Sequence, residues 1–99
     1  MKERRVRFTV TAAAHVDRER NWWLANRDYQ EVFASDLERG LKTLAVLPGA
    51  GTRYTQTDVA DLRRIYLRKL ACHLYYTFDD DEVIVRALWG ARRDHGPVL

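Results

Sequence analysis

The most constraining feature of this sequence is a set of three strand-like segments that follow one another almost without interruption near its C-terminal end. Residues 62–70 and 72–78 alternate between apolar and polar side chains, and residues 83–89 are almost wholly apolar. Because successive side chains of a strand point to opposite faces, this period of two predicts strands. The acidic run at residues 79–82 predicts a hairpin turn, so the three strands should form an antiparallel meander.

The last of these strands is expected to be central in the sheet, because a strand that is apolar on both faces is usually covered on both. The first strand alternates instead, and its non-core side carries Arg64, Tyr66 and Arg68. The same side should also carry His73 or Arg86. We therefore predict that one face of the sheet is basic, aromatic and open to solvent.

The N-terminal half of the chain predicts one strand and two helices. Residues 4–11 alternate as a strand does, whereas residues 12–28 and 29–47 carry apolar side chains at helical spacing. A Pro-Gly segment ends the second helix and begins a loop over residues 49–60. Two helices joined by a turn as short as residues 26–28 should pack as an antiparallel hairpin. The predicted core stripe of the first helix contains Ala13, Val16, Trp23 and Leu24.

This order of elements predicts an α+β fold, β-α-α-β-β-β, with the helical hairpin packed on one face of a mostly antiparallel sheet. A length of 99 residues corresponds to about one domain. We therefore expect residues 1–99 to form a single domain, with residues 90–99 as a candidate flexible tail.

Composition excludes several classes of protein. The single cysteine, Cys72, rules out an intramolecular disulfide and a cysteine-based zinc site, and it fits a reducing cytoplasm. No window approaches the ~20 apolar residues of a membrane span. The histidines and the acidic turn show no metal-ligand spacing. We expect a cytoplasmic protein without cofactor, metal or membrane contact. Its small excess of Lys and Arg over Asp and Glu, 17 to 14, permits an acidic or nucleic-acid partner without requiring one.

Three apolar residues point away from the predicted core. On a helical wheel Trp22 lies about 120° from the core stripe of its helix, and Val32 and Val46 lie on the outward side of the second helix. A large apolar side chain on a surface is a common anchor for a protein partner. These residues therefore predict a binding surface. The alternative is that Trp22 folds down over the helical hairpin.

The chain resembles the RelE/ParE superfamily of bacterial toxins over roughly residues 4–97. The resemblance rests on the element order and on three patterns, "LRRIYLRK", "HLYYTFDDDEVIV" and "ALWGARRDHGP". It implies a small cytoplasmic toxin that arrests growth and forms a hetero-oligomer with an antitoxin, which wraps it with an otherwise disordered segment. ParE-like members bind DNA gyrase, whereas RelE-like members bind in the ribosomal decoding site and cut messenger RNA.

The site residues must separate these two activities. Metal-free RNA cleavage requires a general base, a general acid and cations for the phosphate. The sequence supplies the cations, but the general base is less clear. His73 lies within a strand, where a structural histidine is expected, and His95 lies beyond the strand, where a solvated histidine is expected. The tyrosine that several RNA-cutting members carry near their C-terminus is absent from the ending "GPVL". If the chain is a nuclease, the candidate catalytic residues are Arg64, Arg68, His73 and Arg92.

We therefore predict a ParE-like toxin that binds a target such as DNA gyrase. A RelE-like nuclease acting on ribosome-bound messenger RNA is the alternative, and an inactive antitoxin-binding module is the second alternative. An arginine on an open strand face is otherwise a solvated residue whose stem covers apolar surface. The predicted target-binding residues are Arg64, Tyr66, Arg68, Arg86, Arg92 and Arg93. The predicted antitoxin-binding residues are Trp22, Val32 and Val46.

Overall fold

A computed structural model describes residues 2–27 and 30–99. Its elements are β1 (Arg5–Phe8), α1 (Val10–Asn26), α2 (Gln30–Val46), β2 (Thr52–Arg53), β3 (Arg63–Leu67), β4 (Cys72–Phe78) and β5 (Glu82–Gly90). A short 3-10 turn follows α2. The predicted α+β class and the strand–helix–helix–strand order are confirmed. The predicted helix–helix turn at residues 26–28 lies partly outside the described residues.

The strands form one mixed sheet in the order β1-β5-β4-β3-β2. The predicted meander is present, because β4 pairs antiparallel with both β3 and β5. Two features were not predicted. The N-terminal strand lies parallel to β5, and a two-residue strand, β2, forms inside the predicted loop and pairs with β3. The last strand is interior, as predicted, but β4 occupies the middle of the sheet.

Both helices pack on one face of the sheet, where the main core lies. This core combines residues of α1 and α2 with alternate residues of β4 and β5. Its large buried members are Phe33, Leu37, Leu44, Leu67, Leu70, Leu74, Tyr76 and Leu88, with Val83 and Val85 between the strands and the helices. Gly40 of α2 allows the close approach, because a Cβ at this position would lie 2.5 Å from Leu67 Cδ2.

The predicted core stripe of α1 is partly wrong. Ala13 and Leu24 are exposed, whereas Ala12, His15 and Val16 are buried. The helix begins at Val10, and the Thr9 hydroxyl accepts a hydrogen bond from Ala12 N at 3.0 Å. The rotation of the helix about its axis is set by its packing on β5.

His15 is buried because β1 is shorter than β5. The last residue of β1, Phe8, pairs with Val85, so the edge of β5 beyond that point has no strand beside it. The His15 ring lies over this edge, and its Nδ1 accepts a hydrogen bond from Leu88 N at 3.3 Å. A side chain of α1 thus replaces the missing strand partner, which satisfies a buried backbone donor.

A β-bulge in β5 changes which side chains reach each face. Tyr75 pairs with Ala87 and Tyr76 pairs with Val85, so Arg86 is the extra residue. Its Nε donates to Thr77 Oγ1 at 2.9 Å. Without the bulge, continued alternation from Val85 would place Ala87 and the tryptophan two residues later in the main core. The bulge moves both residues to the opposite face of the sheet.

Candidate functional site

The face of the sheet opposite the helices is only partly open, which corrects the prediction of an open basic face. Residues 54–62 fold back across it and bury a second, smaller cluster. A hydrogen bond from Tyr54 N to Leu62 O, 2.9 Å long, closes this segment at the edge of the sheet. The buried members of the cluster are Leu62, Tyr75, Ala87 and Trp89. The rest of this face forms a pocket.

This pocket, which we call the arginine pocket, has a volume of about 340 Å³. Its floor comes from β3, β4 and β5, one wall comes from the segment after β2, and the other comes from the residues after β5. Cationic and aromatic side chains dominate its lining. The members that carry charge or can accept a proton are Arg53, Arg64, His73, Arg93, Asp94 and His95.

Arg64 is held in the arginine pocket by aromatic rings. Its Nη1 donates to the Tyr75 hydroxyl at 3.2 Å, and its guanidinium lies 5.0 Å from the centre of the Tyr54 ring. The two tyrosine rings meet edge to face at 5.1 Å. Cation–π contacts orient an arginine without neutralising it. The positive charge therefore remains available to an anionic group in the pocket.

His73 is the one histidine on the pocket floor. Its ring lies 5.3 Å from the Tyr66 ring and 6.1 Å from the Tyr75 ring. Burial and, secondarily, the charge of Arg64 lower the pKa of His73 below its ordinary value of 6.5. The imidazole is therefore neutral at pH 7 and can accept a proton.

The residues after β5 are attached to Trp89. Its Nε1 donates to His95 O at 2.8 Å, and the Arg93 guanidinium lies 4.2 Å from the ring centre. Arg18 of α1 also contacts the ring, at 4.9 Å. These contacts bring Arg93 and His95 to the rim of the pocket. The bulge in β5 is the cause, because it moves Trp89 onto this face.

A second depression, which we call the tryptophan groove, lies between α1, the start of α2 and the β3–β4 turn, and it has a volume of about 810 Å³. Trp22 is 47% exposed there, as the wheel predicts, and its ring meets the Trp23 ring edge to face at 6.2 Å. Val32 also lines the groove, but Val46 lies in a separate depression. Fourteen helical residues span about 21 Å, so the three predicted antitoxin contacts do not form one patch.

Five of the six predicted target-binding residues line one or both of these sites. Arg64 and Arg93 line the arginine pocket, as does the catalytic candidate His73. Arg68, Arg92 and Tyr66 line the tryptophan groove instead, and Arg93 lines both sites. The placement of Arg68 on the same strand face as Arg64 was wrong, because β3 ends at Leu67 and the alternation ends with it.

Arg86 lies on the pocket's side of the sheet and is bonded to Thr77, outside the pocket lining. Arg53 and Tyr54 also line the pocket and were not predicted from the sequence. Both come from the predicted loop, where no periodicity indicates a direction for a side chain. The only local indication of a binding site was that a cation and an aromatic ring are adjacent in the sequence.

Two further properties concern the class of the protein. Across residues 2–27 and 30–99, no three His, Cys, Asp or Glu side chains come together as a metal site. No helix of the described chain has the length and apolar character needed to cross a membrane.

Comparisons with known proteins give a likeness among solved structures. No family model and no curated protein matches this chain. Among solved structures, it is similar to a chain of the chromosomal ParDE TA system from P. aeruginosa, with 14% sequence identity and a TM-score of 0.70. The similarity covers 89% of this chain and 96% of that chain. At this identity the likeness concerns the fold, and the RelE/ParE resemblance predicted from the sequence is confirmed at that level.

Proposed function

We propose that this protein is a ParE-like toxin of a toxin–antitoxin pair. It arrests growth by binding a cellular target such as DNA gyrase, and a cognate antitoxin neutralises it. The observation that carries the proposal is the fold shared with a chain of the ParDE TA system, which extends over 89% of this chain. In this proposal residues 1–99 form one cytoplasmic domain, and residues 90–99 at its end contribute to the target-binding surface.

The proposed target-binding surface is the arginine pocket and the cations beside it. Arg64 and Arg93 are held by aromatic rings, and Arg86 is bonded to a hydroxyl. Among the ion pairs of the described residues, none includes a proposed target-binding arginine. Unneutralised arginines of this kind favour an acidic protein surface or a phosphate. Tyr66, Arg68 and Arg92 extend the same surface toward the tryptophan groove.

The proposed antitoxin contacts are Trp22 and Val32 in the tryptophan groove, with Val46 as a separate contact at the far end of α2. Half-exposed tryptophan is a frequent interface anchor, because a large apolar surface is removed from water on binding. Trp22→Ala should therefore weaken antitoxin binding. An unchanged affinity would remove Trp22 from the interface.

One observation favours the RelE-like nuclease as a second candidate. The pocket holds an imidazole with a lowered pKa, His73, beside the Tyr75 ring, and Arg64 donates to the hydroxyl of that tyrosine. A neutral imidazole can take the proton of a ribose 2′-hydroxyl while an arginine holds the phosphate. Of the four catalytic candidates, Arg68 and Arg92 lie in the groove, so this mechanism depends on the other two.

Inducible expression of the chain alone tests the proposal. Pulse labelling of DNA and protein synthesis should show early, gyrase-dependent DNA breaks and an SOS response, with translation at first intact. Rapid arrest of translation with cleaved transcripts would support the nuclease instead. Normal growth would identify the inactive antitoxin-binding module.

Three variants refine this experiment. For a target-binding toxin, Arg64→Ala should reduce growth arrest, whereas His73→Gln should leave it largely intact. For a nuclease, both changes should abolish it, because the base and the phosphate contact act together. Arg5→Ala is the control, because Arg5 is an exposed residue of the edge strand β1, which β5 and β4 separate from β3. If all three variants reduced growth arrest equally, the arginine pocket would not be the site of toxicity.

A further inference from the structure

Two cations contact the ring of Trp89. The Arg18 guanidinium lies 4.9 Å from the ring centre, and the Arg93 guanidinium lies 4.2 Å from it. The negative face of an indole attracts each cation, whereas two guanidiniums beside one ring repel each other. Their attachments differ, because Arg18 belongs to the 17-residue helix α1 and Arg93 belongs to the short segment after β5. Of the two, Arg93 is therefore the cation that can leave the ring.

This segment, residues 91–96, which we call the C-terminal segment, has few attachments to the fold. It contains no helix or strand, and residues 91–95 are exposed. Ala91 N donates to Ala71 O at 2.9 Å at its start, and Trp89 Nε1 donates to His95 O at 2.8 Å near its end. Gly96 lies so close to the tyrosine hydroxyl on the opposite wall of the arginine pocket that a Cβ there would overlap it. Trp89 therefore holds a segment that closes one side of the pocket.

His15 contacts the same ring from α1. It is 9% exposed, and its ring centre lies 5.2 Å from that of Trp89. Its Nδ1 accepts the hydrogen bond from Leu88 N at 3.3 Å. Because a backbone N–H can only donate, this contact requires an unprotonated Nδ1 and hence the neutral imidazole. His15 thus links proton binding to the residue immediately before Trp89.

The charged groups that face His15 are mainly cationic. Burial is the largest cause of its lowered pKa, and the charges of Arg18 and Arg93 lower that pKa further. Cys72 of β4 is uncharged, because burial and, secondarily, Glu19 raise the pKa of its thiol to about 12. Glu19 lies one turn further along α1, and no ion pair of the described residues includes it. A protonated His15 is therefore a third cation without a paired counter-charge.

Two other histidines lie near Trp89, but their protonation is compatible with the observed contacts. His95 Nδ1 lies 3.0 Å from Gly96 O, and a protonated ring donates to that carbonyl. His73 is the cross-strand neighbour of Trp89, and its ring contacts Tyr75 instead. Within the described chain, neither ring accepts a hydrogen bond from a backbone N–H of β5. His15 is therefore the histidine whose charge conflicts with the closed arrangement.

We propose that His15 is a pH-sensitive switch that controls the C-terminal segment. The neutral imidazole accepts the Leu88 N–H and leaves the Trp89 ring to two guanidiniums. When a proton from solvent binds to Nδ1, the Leu88 N–H loses its acceptor and a third cation lies beside the ring. Arg93 is then released, because its segment has few other attachments, and the arginine pocket opens on that side. This inference concerns the shape of the pocket and goes beyond the proposed function.

The direction of the response follows from proton linkage. The closed arrangement lowers the pKa of His15, whereas in the released form this imidazole is solvated and its pKa lies near the ordinary value of 6.5. The released form therefore binds more protons. The closed arrangement is favoured above about pH 6.5 and loses its advantage as the pH falls below that value.

NMR spectroscopy of the full chain, made by cell-free synthesis with ¹⁵N and ¹³C labels, tests the switch. Backbone order parameters of residues 92–96 should be about 0.85 at about pH 7.5 and should fall below about 0.6 at about pH 5.5, where most carboxylates remain ionised. The indole N–H signal of Trp89 should shift with the same midpoint as the ring signals of His15. The amides of α2 should remain ordered at both pH values, which shows that the fold persists.

His15→Asn separates the hydrogen bond from the proton. Its Oδ1 can occupy the position of Nδ1 and accept the Leu88 N–H, but an amide does not titrate. The C-terminal segment should therefore stay ordered at both pH values. His95→Asn and His73→Gln are the matched controls and should keep the pH response of the unsubstituted chain. Arg18→Gln removes a cation that opposes protonation of His15 and should move the midpoint to higher pH.

Three results would overturn the switch. They are a segment equally ordered at both pH values in the unsubstituted chain, loss of order on acidification in His15→Asn, and a response that disappears in either control. If thermal unfolding shows that His15→Asn is not folded, the two midpoints in the unsubstituted chain decide, and different midpoints for His15 and Trp89 reject the switch. The growth assay tests the proposed function separately, because the order of the segment is measured without a target or an antitoxin.

Discussion

Tyr75 and Tyr76 are neighbours in β4 and both are almost completely buried, but they serve opposite faces of the sheet. The Tyr76 hydroxyl donates to Pro48 O at 2.6 Å and accepts from Gly51 N at 3.0 Å, so it ties the segment after α2 to the core. The Tyr75 hydroxyl accepts from Arg64 in the arginine pocket. Burial alone therefore does not separate a structural residue from a site residue. The bonding partner does.

The two faces of the sheet differ in the same way. The helix-covered face is a continuous core of aliphatic and aromatic side chains from all long elements. The opposite face has a small buried cluster, and its aromatic rings hold cations, as Tyr54 holds Arg64 and Trp89 holds Arg93. Stability is expected to come mainly from the first face, whereas the second fixes charged groups in place.

The largest expected effect tests this division of stability. Leu74→Ala, in the main core, should lower the free energy of unfolding by about 3–4 kcal/mol, because the surrounding side chains cannot close the cavity. Leu62→Ala should cost about 2 kcal/mol, since the segment at residues 54–62 can settle onto the smaller side chain. Urea denaturation measures both. Equal losses would show that the second face is as rigidly packed as the first.

The paired tyrosines give an intermediate effect. Tyr76→Phe should lower the free energy of unfolding by about 1–3 kcal/mol, because it leaves a buried carbonyl and a buried N–H without a partner. Tyr75→Phe should lower it by less than about 1 kcal/mol, since Arg64 can bond to water in the pocket. In the expression assay, however, Tyr75→Phe should reduce growth arrest. The comparison fails if the two stability losses are reversed.

The pH dependence of stability is a smaller effect. Burial, then Arg18 and Arg93, lower the pKa of His15 in the folded chain, and burial and Arg64 lower that of His73. The unfolded chain therefore binds more protons below about pH 6.5, and stability falls as the pH drops through and below that value. Urea denaturation at about pH 7.5 and pH 5.5 should show this loss.

Single variants show how much of this pH dependence comes from His15 on the helix-covered face and how much from His73 on the opposite face. His15→Gln and His73→Gln should each reduce the loss of stability on acidification. His15→Gln should have the larger effect on stability at neutral pH, because His15 Nδ1 accepts a buried backbone N–H from Leu88. An unchanged pH profile in both variants would assign the dependence to other groups.

The smallest effect concerns Cys72 on the helix-covered face. Burial, with a further contribution from the charge of Glu19, raises the pKa of this thiol to about 12. Because the thiolate is the reactive form, the folded chain should react slowly with a thiol reagent such as DTNB. The urea-unfolded chain should react rapidly. Fast labelling of the folded chain would show that water reaches this part of the core.

Much of the fold could be predicted from local pattern. The alternation of residues 72–78 correctly assigns Tyr75 and Tyr76 to opposite faces, because side-chain direction in a regular strand is set by the backbone alone. The helical spacing after residue 29 and the Pro-Gly stop predict α2 almost to its ends. The outward position of Trp22 follows from the wheel in the same way.

The site itself depended on contacts between distant parts of the chain. The bulge at Arg86 brings Trp89 to the pocket, the end of β3 at Leu67 takes Arg68 away from it, and the segment after β2 closes its wall. None of these features produces a periodic pattern in the sequence, because each is stabilised by a strand, helix or loop far away in the chain. The sequence alone therefore determined the long elements and the faces of the regular strands. Only the tertiary structure decided which cations share the pocket and which share the groove, since those positions depend on where strands end and shift register.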